Sequence, residues 1–156
     1  MSKLNIYRCA RIRASKKKSQ LKNRETASEL LGVSKDSLTN YELNLCKHIP
    51  ADIVVKMSKV YEAPELLNNY CHSECPIGHI TVPPIDNSNV DNIFKLSISI
   101  SNILKKGNAL RDKLLDILDD GIIDDSEKED LNLILSNLKK LSGLTNELII
   151  ASKKIK

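Results

Sequence analysis

Aromatic residues are scarce in this sequence. Its 156 residues include one phenylalanine, four tyrosines and no tryptophan, so aromatics make up 3% of the chain. A folded core must therefore be built from aliphatic side chains. With 41% hydrophobic and 28% charged residues, the composition is that of an ordinary soluble protein, and the length allows one domain or two small ones.

Long apolar runs are also missing. No segment approaches the roughly 20 apolar residues that span a bilayer, and the N-terminus lacks the hydrophobic stretch of a signal peptide. We therefore expect a cytoplasmic protein. The chain has only five glycines, with no glycine-rich phosphate loop and no grouping of nucleophile, base and oxyanion-binding residues. This predicts a protein that is not an enzyme and needs no cofactor.

Positive charge is concentrated at one end of the chain. The formal net charge is +4, but residues 1–50 carry eleven lysines and arginines against four acidic residues, and the remainder is mildly acidic. Charge alone would indicate only a solvated, lysine-rich surface. A basic end joined to an acidic one also suits a DNA-binding head with a separate partner-binding tail.

Residues 23–42, NRETASELLGVSKDSLTNYE, have the pattern of two short helices joined by a tight turn. Asn23 is placed to cap the first helix, and Gly32 supplies the left-handed conformation in which a helix ends. Ser34 is placed to cap the second helix directly afterwards. The first helix is predicted to bury Thr26, Ala27, Leu30 and Leu31, and the second Val33, Leu38 and Tyr41. The connection is about three residues long, as in a helix-turn-helix.

The exposed side of the second helix is short, polar and rich in hydrogen-bonding groups. It consists of Lys35, Asp36, Ser37, Thr39 and Asn40. Side chains of this kind on the first turns of a helix suit direct readout of bases in the major groove of DNA. For Asp36 the alternative role is stabilisation of the helix dipole from the first turn.

The run ASELLGVSKDSLTNYE resembles the XRE family, which includes the helix-turn-helix of the lambda and 434 repressors and Cro. The similarity covers residues 6–67, less than half of the chain. It implies an all-α protein whose five-helix, lambda-repressor-like head binds double-stranded DNA in a sequence-specific manner. The implied function is a transcriptional regulator, a repressor acting as a dimer on an operator. The alternative is a protein-interaction adaptor, in which a C-terminal helical hairpin binds another protein and the head is a docking fold.

The resemblance also implies roles for individual residues. Lys35, Asp36 and Asn40 fall on positions that contact base edges, and Ser34, Ser37 and Lys47 on positions nearer the DNA backbone. Arg24 stands where these repressors have a glutamine that binds a phosphate and supports the recognition helix, and an arginine keeps the phosphate role. In the family, an arginine of the first helix often pairs with the glutamate that closes the recognition helix. The counterparts here are Arg11, or else Arg13, and Glu42.

Three further helices complete the predicted head. The first spans Leu4 to Ala14, with Ile6, Cys9, Ala10 and either Ile12 or Arg13 on one face. The SKKKSQLK that follows is longer than the family's connection, and its three lysines extend the helix, bind a phosphate or belong to a mobile loop. A fourth helix opens at Pro50 and a fifth at Pro64. Their predicted buried residues are Ile53, Val54, Met57, Val60 and Tyr61, followed by Leu66, Leu67 and Tyr70.

One group of residues has the chemistry of a metal site. It consists of Cys71, His72, Cys75 and His79. Thiolates and imidazoles favour zinc, but a structural site needs four ligands and commonly a CxxC knuckle, whereas the spacing here is CxxxC. Pro76 and Gly78 also predict that the helix stops. We expect reduced cysteines without a metal. The alternatives are thiol sensing, or zinc held by Cys71, Cys75 and His79 with a fourth ligand from Cys46, His48 or His72.

Residues 79–91, HITVPPIDNSNVD, have the composition of a linker between a head at residues 1–78 and a tail at residues 92–156. Two apolar stripes in the tail predict a hairpin of two long amphipathic helices. The stripes are Ile93, Leu96, Ile100, Ile103, Gly107, Leu110, Leu114 and Ile117, and Leu131, Ile134, Leu138, Leu141, Thr145 and Leu148. Both stripes are widened by Ile98, Leu104, Leu115, Leu118, Leu135 and Leu144. A lone hairpin would expose these side chains, so we expect a homodimer through residues 92–156.

The segment DDGIIDDSEKED is predicted to be the turn of this hairpin, with Ser126 as a helix cap. It partly matches the calcium-binding loop of an EF-hand. The matching residues are Asp116, Asp120, Gly121, Ile123, Asp124 and Glu127, but the third loop position is Leu118. A helical turn with exposed acids and no bound calcium is therefore expected.

Overall fold

The computed structural model describes residues 5–117 and 123–155. Over these residues the chain consists of helices and connecting loops without a β-strand, so the predicted all-α class is confirmed. The chain divides into two compact units, Met1–Val82 and Pro83–Lys156. No helix in the described ranges is both long enough and apolar enough to cross a membrane.

The first unit is built from six α-helices and a 3-10 helix within its described residues. They are α1 (Ile6–Ser15), the 3-10 helix (Ser19–Lys22), α2 (Arg24–Leu31), α3 (Lys35–Glu42), α4 (Ala51–Val60), α5 (Glu65–Ser73) and α6 (Pro76–Thr81). The five helices expected from the sequence are present close to their predicted positions. The sixth, α6, is not predicted by the sequence pattern, in which Pro76 and Gly78 indicate only the end of a helix. Proline is also favoured in the first turn of a helix, where its missing N–H has no partner to lose.

The turn between α2 and α3 is held by three local features. The Asn23 side chain accepts a hydrogen bond from the Glu25 N–H at 3.0 Å, and the Ser34 hydroxyl accepts one from the Ser37 N–H at 3.0 Å. Gly32 has φ 70°, the left-handed conformation that ends α2 without a Cβ penalty. The predicted caps and the predicted stop are therefore confirmed.

The core of the first unit is aliphatic with two buried tyrosines. Its buried residues are Tyr7, Ala10, Ala14, Leu21, Ala27, Leu31, Leu38, Ile49, Ile53, Val54, Met57, Tyr61, Ala63 and Leu66. The predicted face of α2 is wrong at Leu30, which is 49% exposed, while Ser28 is buried. Helix α1 is also rotated from the predicted face: Ile6 and Ile12 are exposed. The rotation follows from the burial of Arg11, a residue that a hydrophobic pattern assigns to the solvent side.

In the second unit the described helices are α7 (Asn87–Val90), α8 (Ile93–Lys105), α9 (Gly107–Ile117) and α10 (Asp125–Lys154). The predicted first helix of the hairpin is thus interrupted at Lys106. Helix α10 begins at an Asp124 cap and not at Ser126, with a capping box that includes the Glu127 carboxylate. Residues 118–122, which include Leu118, Asp120 and Gly121 of the calcium-like pattern, lie outside the described residues.

Two parts of the second unit pack on α10 near its C-terminal end. Helix α8 supplies Leu96 and Ile103 to a core that contains Leu144, Ile150 and Ala151. The segment predicted as a linker also belongs here, because Val90 is buried in this core. The buried Glu147 carboxylate accepts hydrogen bonds from the Asp86 N–H at 2.7 Å and the Asn89 side-chain amide at 3.1 Å. Residues 83–90 are therefore fastened to α10.

The predicted stripe on α10 is only partly buried. Ile134 lies in the interior, whereas Leu138 and Thr145 are exposed and Leu144, one of the residues that widen the stripe, is buried. The reason is that different helices cover α10 along its length. Helix α9 lies beside its beginning, where Lys113 pairs with Asp130 at 2.5 Å, and α8 packs further along.

Candidate nucleic-acid interface

The exposed side of α3 carries the polar residues that the sequence indicated. Ser34, Lys35, Asp36 and Asn40 are exposed, and Ser37 and Thr39 are half-buried. The hydroxyls of this set are already occupied: Ser34 and Ser37 share a hydrogen bond of 2.8 Å, and Thr39 donates to the Lys35 carbonyl at 2.8 Å. Within the described residues the side chains of Asp36 and Asn40 have no such partner and are available to a ligand.

Two arginines fix α3 at its end through Glu42, whose side chain is fully buried. Arg11 binds it in a bidentate manner, from Nε to Oε1 at 2.5 Å and from Nη2 to Oε2 at 2.9 Å. Arg24 adds a hydrogen bond from Nε to Oε2 at 2.7 Å. The predicted pairing with Arg11 is therefore confirmed. Arg13, the alternative, instead pairs with Glu65.

The electrostatics of Glu42 follow from these contacts. Burial by itself raises the pKa of the carboxyl, but the hydrogen bonds and charges of the two guanidinium groups outweigh burial, and the net pKa is lowered. The pKa of Arg11 is raised, chiefly by its hydrogen bond to Glu42. The carboxylate thus stays charged and holds α1, α2 and α3 together.

A basic hollow of about 650 Å³ lies beside α3. Its lining comprises Arg8, Arg11, Ile12, Lys22, Asn23, Arg24, Lys35 and Thr39. Lys35 also contacts Glu25 at 3.4 Å, but both side chains are more than half exposed, and such surface pairs contribute little. Sequence reasoning missed Arg8 and Lys22, because four separate elements, α1, the 3-10 helix, α2 and α3, must fold before the cations of the hollow reach one surface.

The insertion between α1 and α2 is ordered by specific contacts. Lys18 pairs with Glu62 at 3.0 Å and donates to the Val60 carbonyl at 3.1 Å. Arg11 donates from Nη1 to the Leu21 carbonyl at 2.7 Å. One lysine of the triple-lysine run therefore has a structural role, and the insertion ends at Lys22, on the rim of the hollow.

The same C-terminal end of α3 is also tied to the start of α1. The Asn5 side-chain amide donates to the Tyr41 carbonyl at 2.8 Å and to the Asn44 side chain at 2.6 Å. Asn44 has φ 58°, the left-handed conformation in which a helix commonly ends. Lys47 is exposed in the loop after α3 but does not line the basic hollow.

The cysteine and histidine residues of α5 and α6 do not converge on one point. The His72 and His79 rings lie 5.5 Å apart, and each ring donates through Nδ1 to a backbone carbonyl, of Val82 and His72 respectively. Cys71 and Cys75 are both free and half-buried. Over the part of the chain that the structure describes, no three His, Cys, Asp or Glu residues form a group that could hold a metal ion.

Comparison with known proteins adds no constraint to this interpretation. The chain matches no protein-family model, no curated protein and no solved structure.

Proposed function

We propose that the first unit is a helix-turn-helix head that binds double-stranded DNA through α3, and that the protein is a sequence-specific transcriptional regulator. The observation that carries the proposal is the basic hollow beside α3. Besides the buried Arg11, four cations line this space, namely Arg8, Lys22, Arg24 and Lys35. The exposed side chains of Asp36 and Asn40 lie on the same helix as Lys35. Specific DNA binding has two components, which are cations that bind phosphates and polar groups that contact base edges.

The residues divide into two roles. Asp36 and Asn40 are four residues apart and therefore lie on one face of α3, where an asparagine can make a bidentate contact with adenine and an aspartate can accept from cytosine. Lys35 lies at the boundary and reaches either a guanine or a phosphate. Arg8 and Lys22 have no described ion-pair partner, so they are the cations most available to phosphates. Arg24 binds a phosphate while it supports Glu42.

Base reading is tested by selecting binding sequences from a random duplex library and then measuring the affinity of Asn40→Ala. We expect a loss of about 1–3 kcal/mol on the selected site, with little change on random DNA. Asn132→Ala is the matched control, because it removes an exposed asparagine from a helix of the other unit. Equal affinities for the parent and Asn40→Ala on the selected site would contradict the assignment of this face.

Phosphate binding is tested with Lys22→Ala. This variant should bind every duplex more weakly and reduce the slope of log affinity against log salt by about one. Arg24→Ala should show the same uniform loss, but it also disturbs Glu42 and is the less clean variant. If Lys22→Ala and Arg24→Ala both keep the parent's salt dependence, the basic hollow is not the phosphate site.

The regulator is proposed to act as a homodimer and to repress by occupying an operator. Dimeric DNA-binding proteins of this kind place their recognition helices about 34 Å apart, which corresponds to one turn of the duplex. The proposed dimer contact lies in residues 92–156, where large apolar side chains are exposed on α8 and α10. A gel shift on DNA flanking its own gene tests the regulatory role, because repressors commonly bind near their own genes.

A further inference from the structure

An apolar face runs along α10 and continues onto α8. On α10 it consists of Leu138, Leu141, Thr145, Leu148 and Ile149, which are spaced three, four and seven residues apart and so share one side of the helix. Leu148 also lines a hollow of about 460 Å³ together with Ile100 and Leu104 of α8. Leu104 is 61% exposed, and Leu138 and Ile149 are each about half exposed at 49% and 47%. Contiguous apolar surface of this kind marks an interaction site.

The polar residues within this face are small hydroxyl-bearing residues and one lysine. The hydroxyl-bearing residues are Ser97, Ser101, Ser142, Thr145 and Ser152, and the lysine is Lys105, which lines the hollow. A basic partner peptide would find no counter-charge here. Small residues also allow two helices to approach closely, with the larger side chains on either side packing into the space they leave.

Charge is distributed unevenly along the second unit. Among the described residues, 111–117 and 123–130 contain seven acidic and three basic residues, whereas 131–155 contain four basic residues and one acidic residue. Two copies placed side by side in parallel would bring like charges together at both ends. Two copies placed antiparallel would set the acidic end of one against the basic end of the other, which favours association.

We propose that this apolar face binds the same face of a second copy of the chain in antiparallel orientation. Leu138 and Ile149 lie equally far, in opposite directions, from the pair Ser142 and Thr145. A two-fold axis between Ser142 and Thr145 therefore places Leu138 of each subunit against Ile149 of the partner subunit. The small residues meet at the axis and the large ones pack on both sides of it. The inference rests on the proposed dimeric regulator and specifies its contact surface and orientation.

The face is tested by sedimentation of Leu138→Glu at tens of micromolar, with the full-length chain. Each variant dimer would bury two carboxylates among apolar side chains, so dimer affinity should fall by at least about 100-fold. Leu133→Glu is the matched control. Leu133 is 50% exposed on the same helix but lies about 140° around it from Leu138, so this variant should dimerise like the parent. A monomeric parent, or a Leu138→Glu variant as dimeric as the control, would overturn the proposal.

The orientation is tested by the double variant Leu138→Glu/Ile149→Lys. In an antiparallel dimer each introduced carboxylate meets an introduced ammonium group, so the double variant should dimerise at least about tenfold more tightly than either single variant. In a parallel dimer each new charge would meet its own kind, and the double variant would be weaker than both. That second result would overturn the antiparallel arrangement.

These experiments distinguish a failure of the proposed dimer surface from a failure of the proposed DNA-binding function. Leu138 lies outside the first unit, so Leu138→Glu should be a folded monomer that still binds one half-site weakly and loses the avidity of paired heads. A parent protein that dimerises but binds no DNA would instead refute the proposed function. A parent that binds DNA and stays dimeric after Leu138→Glu would refute only the surface.

Discussion

Replacing Arg11 with methionine tests the ion pairs that hold α3 against α1 and α2. The Arg11 side chain is 5% exposed and that of Glu42 is fully buried, so the substitution leaves a buried carboxylate with one partially exposed partner, Arg24. Breaking a buried pair from one side costs about 3–5 kcal/mol, and the remaining contact with Arg24 places the expected loss near the lower limit, about 3 kcal/mol. A small domain has only about 5–15 kcal/mol in total, so the loss is easily measured.

The chain provides a selective probe for this experiment. All four tyrosines, Tyr7, Tyr41, Tyr61 and Tyr70, lie in the first unit, so urea unfolding followed by tyrosine fluorescence reports on the head alone. Arg8→Met is the control, because Arg8 is an exposed arginine of the same helix without an ion pair among the described residues. Its effect should stay within about 0.5 kcal/mol of the parent.

The double variant Arg11→Met/Glu42→Leu distinguishes a broken pair from lost packing. Removing both charges leaves no uncompensated carboxylate, so the double variant should be more stable than Arg11→Met alone. The hydrogen bond from Arg11 to the Leu21 carbonyl is still lost, which makes recovery incomplete. A loss below about 1 kcal/mol for Arg11→Met, or a double variant that merely adds the two single losses, would refute the reasoning.

The same variants should differ in their pH dependence. The pKa of Glu42 is lower in the folded head than in the unfolded chain, so its contribution is complete above the unfolded value of about 4.3 and is lost as pH falls through the folded value. Tyrosine-detected stability of the parent should therefore decline below about pH 4 more steeply than that of Arg11→Met/Glu42→Leu. If the stability of the parent and that of Arg11→Met/Glu42→Leu decline equally as the pH falls, the charged form of Glu42 does not stabilise the folded head.

Two further predictions concern the other parts of the chain. Asp124→Ala removes the cap of α10, so amide hydrogen exchange in its first turn should become several-fold faster while the end of the helix is unchanged; equal exchange rates would show that the capping box contributes nothing. Protein purified without added metal should carry no stoichiometric zinc by elemental analysis. About one zinc per chain that disappears in Cys71→Ser/Cys75→Ser would contradict this, because thiolate sites retain zinc tightly.

The parts of the fold that were predictable from the sequence are those set by neighbouring residues. Asn23, Gly32 and Ser34 act within three residues of their own positions, so their caps and turn could be predicted from the sequence. The face of α1 could not, because Arg11 is buried only through a partner 31 positions away. A hydrophobic pattern assigns such a residue to the solvent side and rotates the whole helix.

In the second unit and the basic hollow, too, features set by neighbouring residues are predictable from the sequence and features set by distant contacts are not. The apolar spacing predicts the long helices. The buried face of α10, however, depends on which helix covers it at each point, and this is determined by tertiary packing. The break at Lys106 lies in a segment whose apolar spacing continues through it. Arg8 and Lys22 are ordinary surface residues in the sequence and become part of a candidate site only through the packing of α1, the 3-10 helix, α2 and α3.

The close packing of α6 on α5 limits which sequences can adopt this fold. A Cβ at Gly78 would overlap the backbone of Cys71, where no side chain can move aside, whereas a Cβ at Gly107 would meet nothing within 4 Å. In a library that substitutes each position in turn, Gly78 should accept no other residue without moving α6 off α5. Gly107 should accept most residues. The two glycines look alike in the sequence, yet one limits variation and the other leaves room for it.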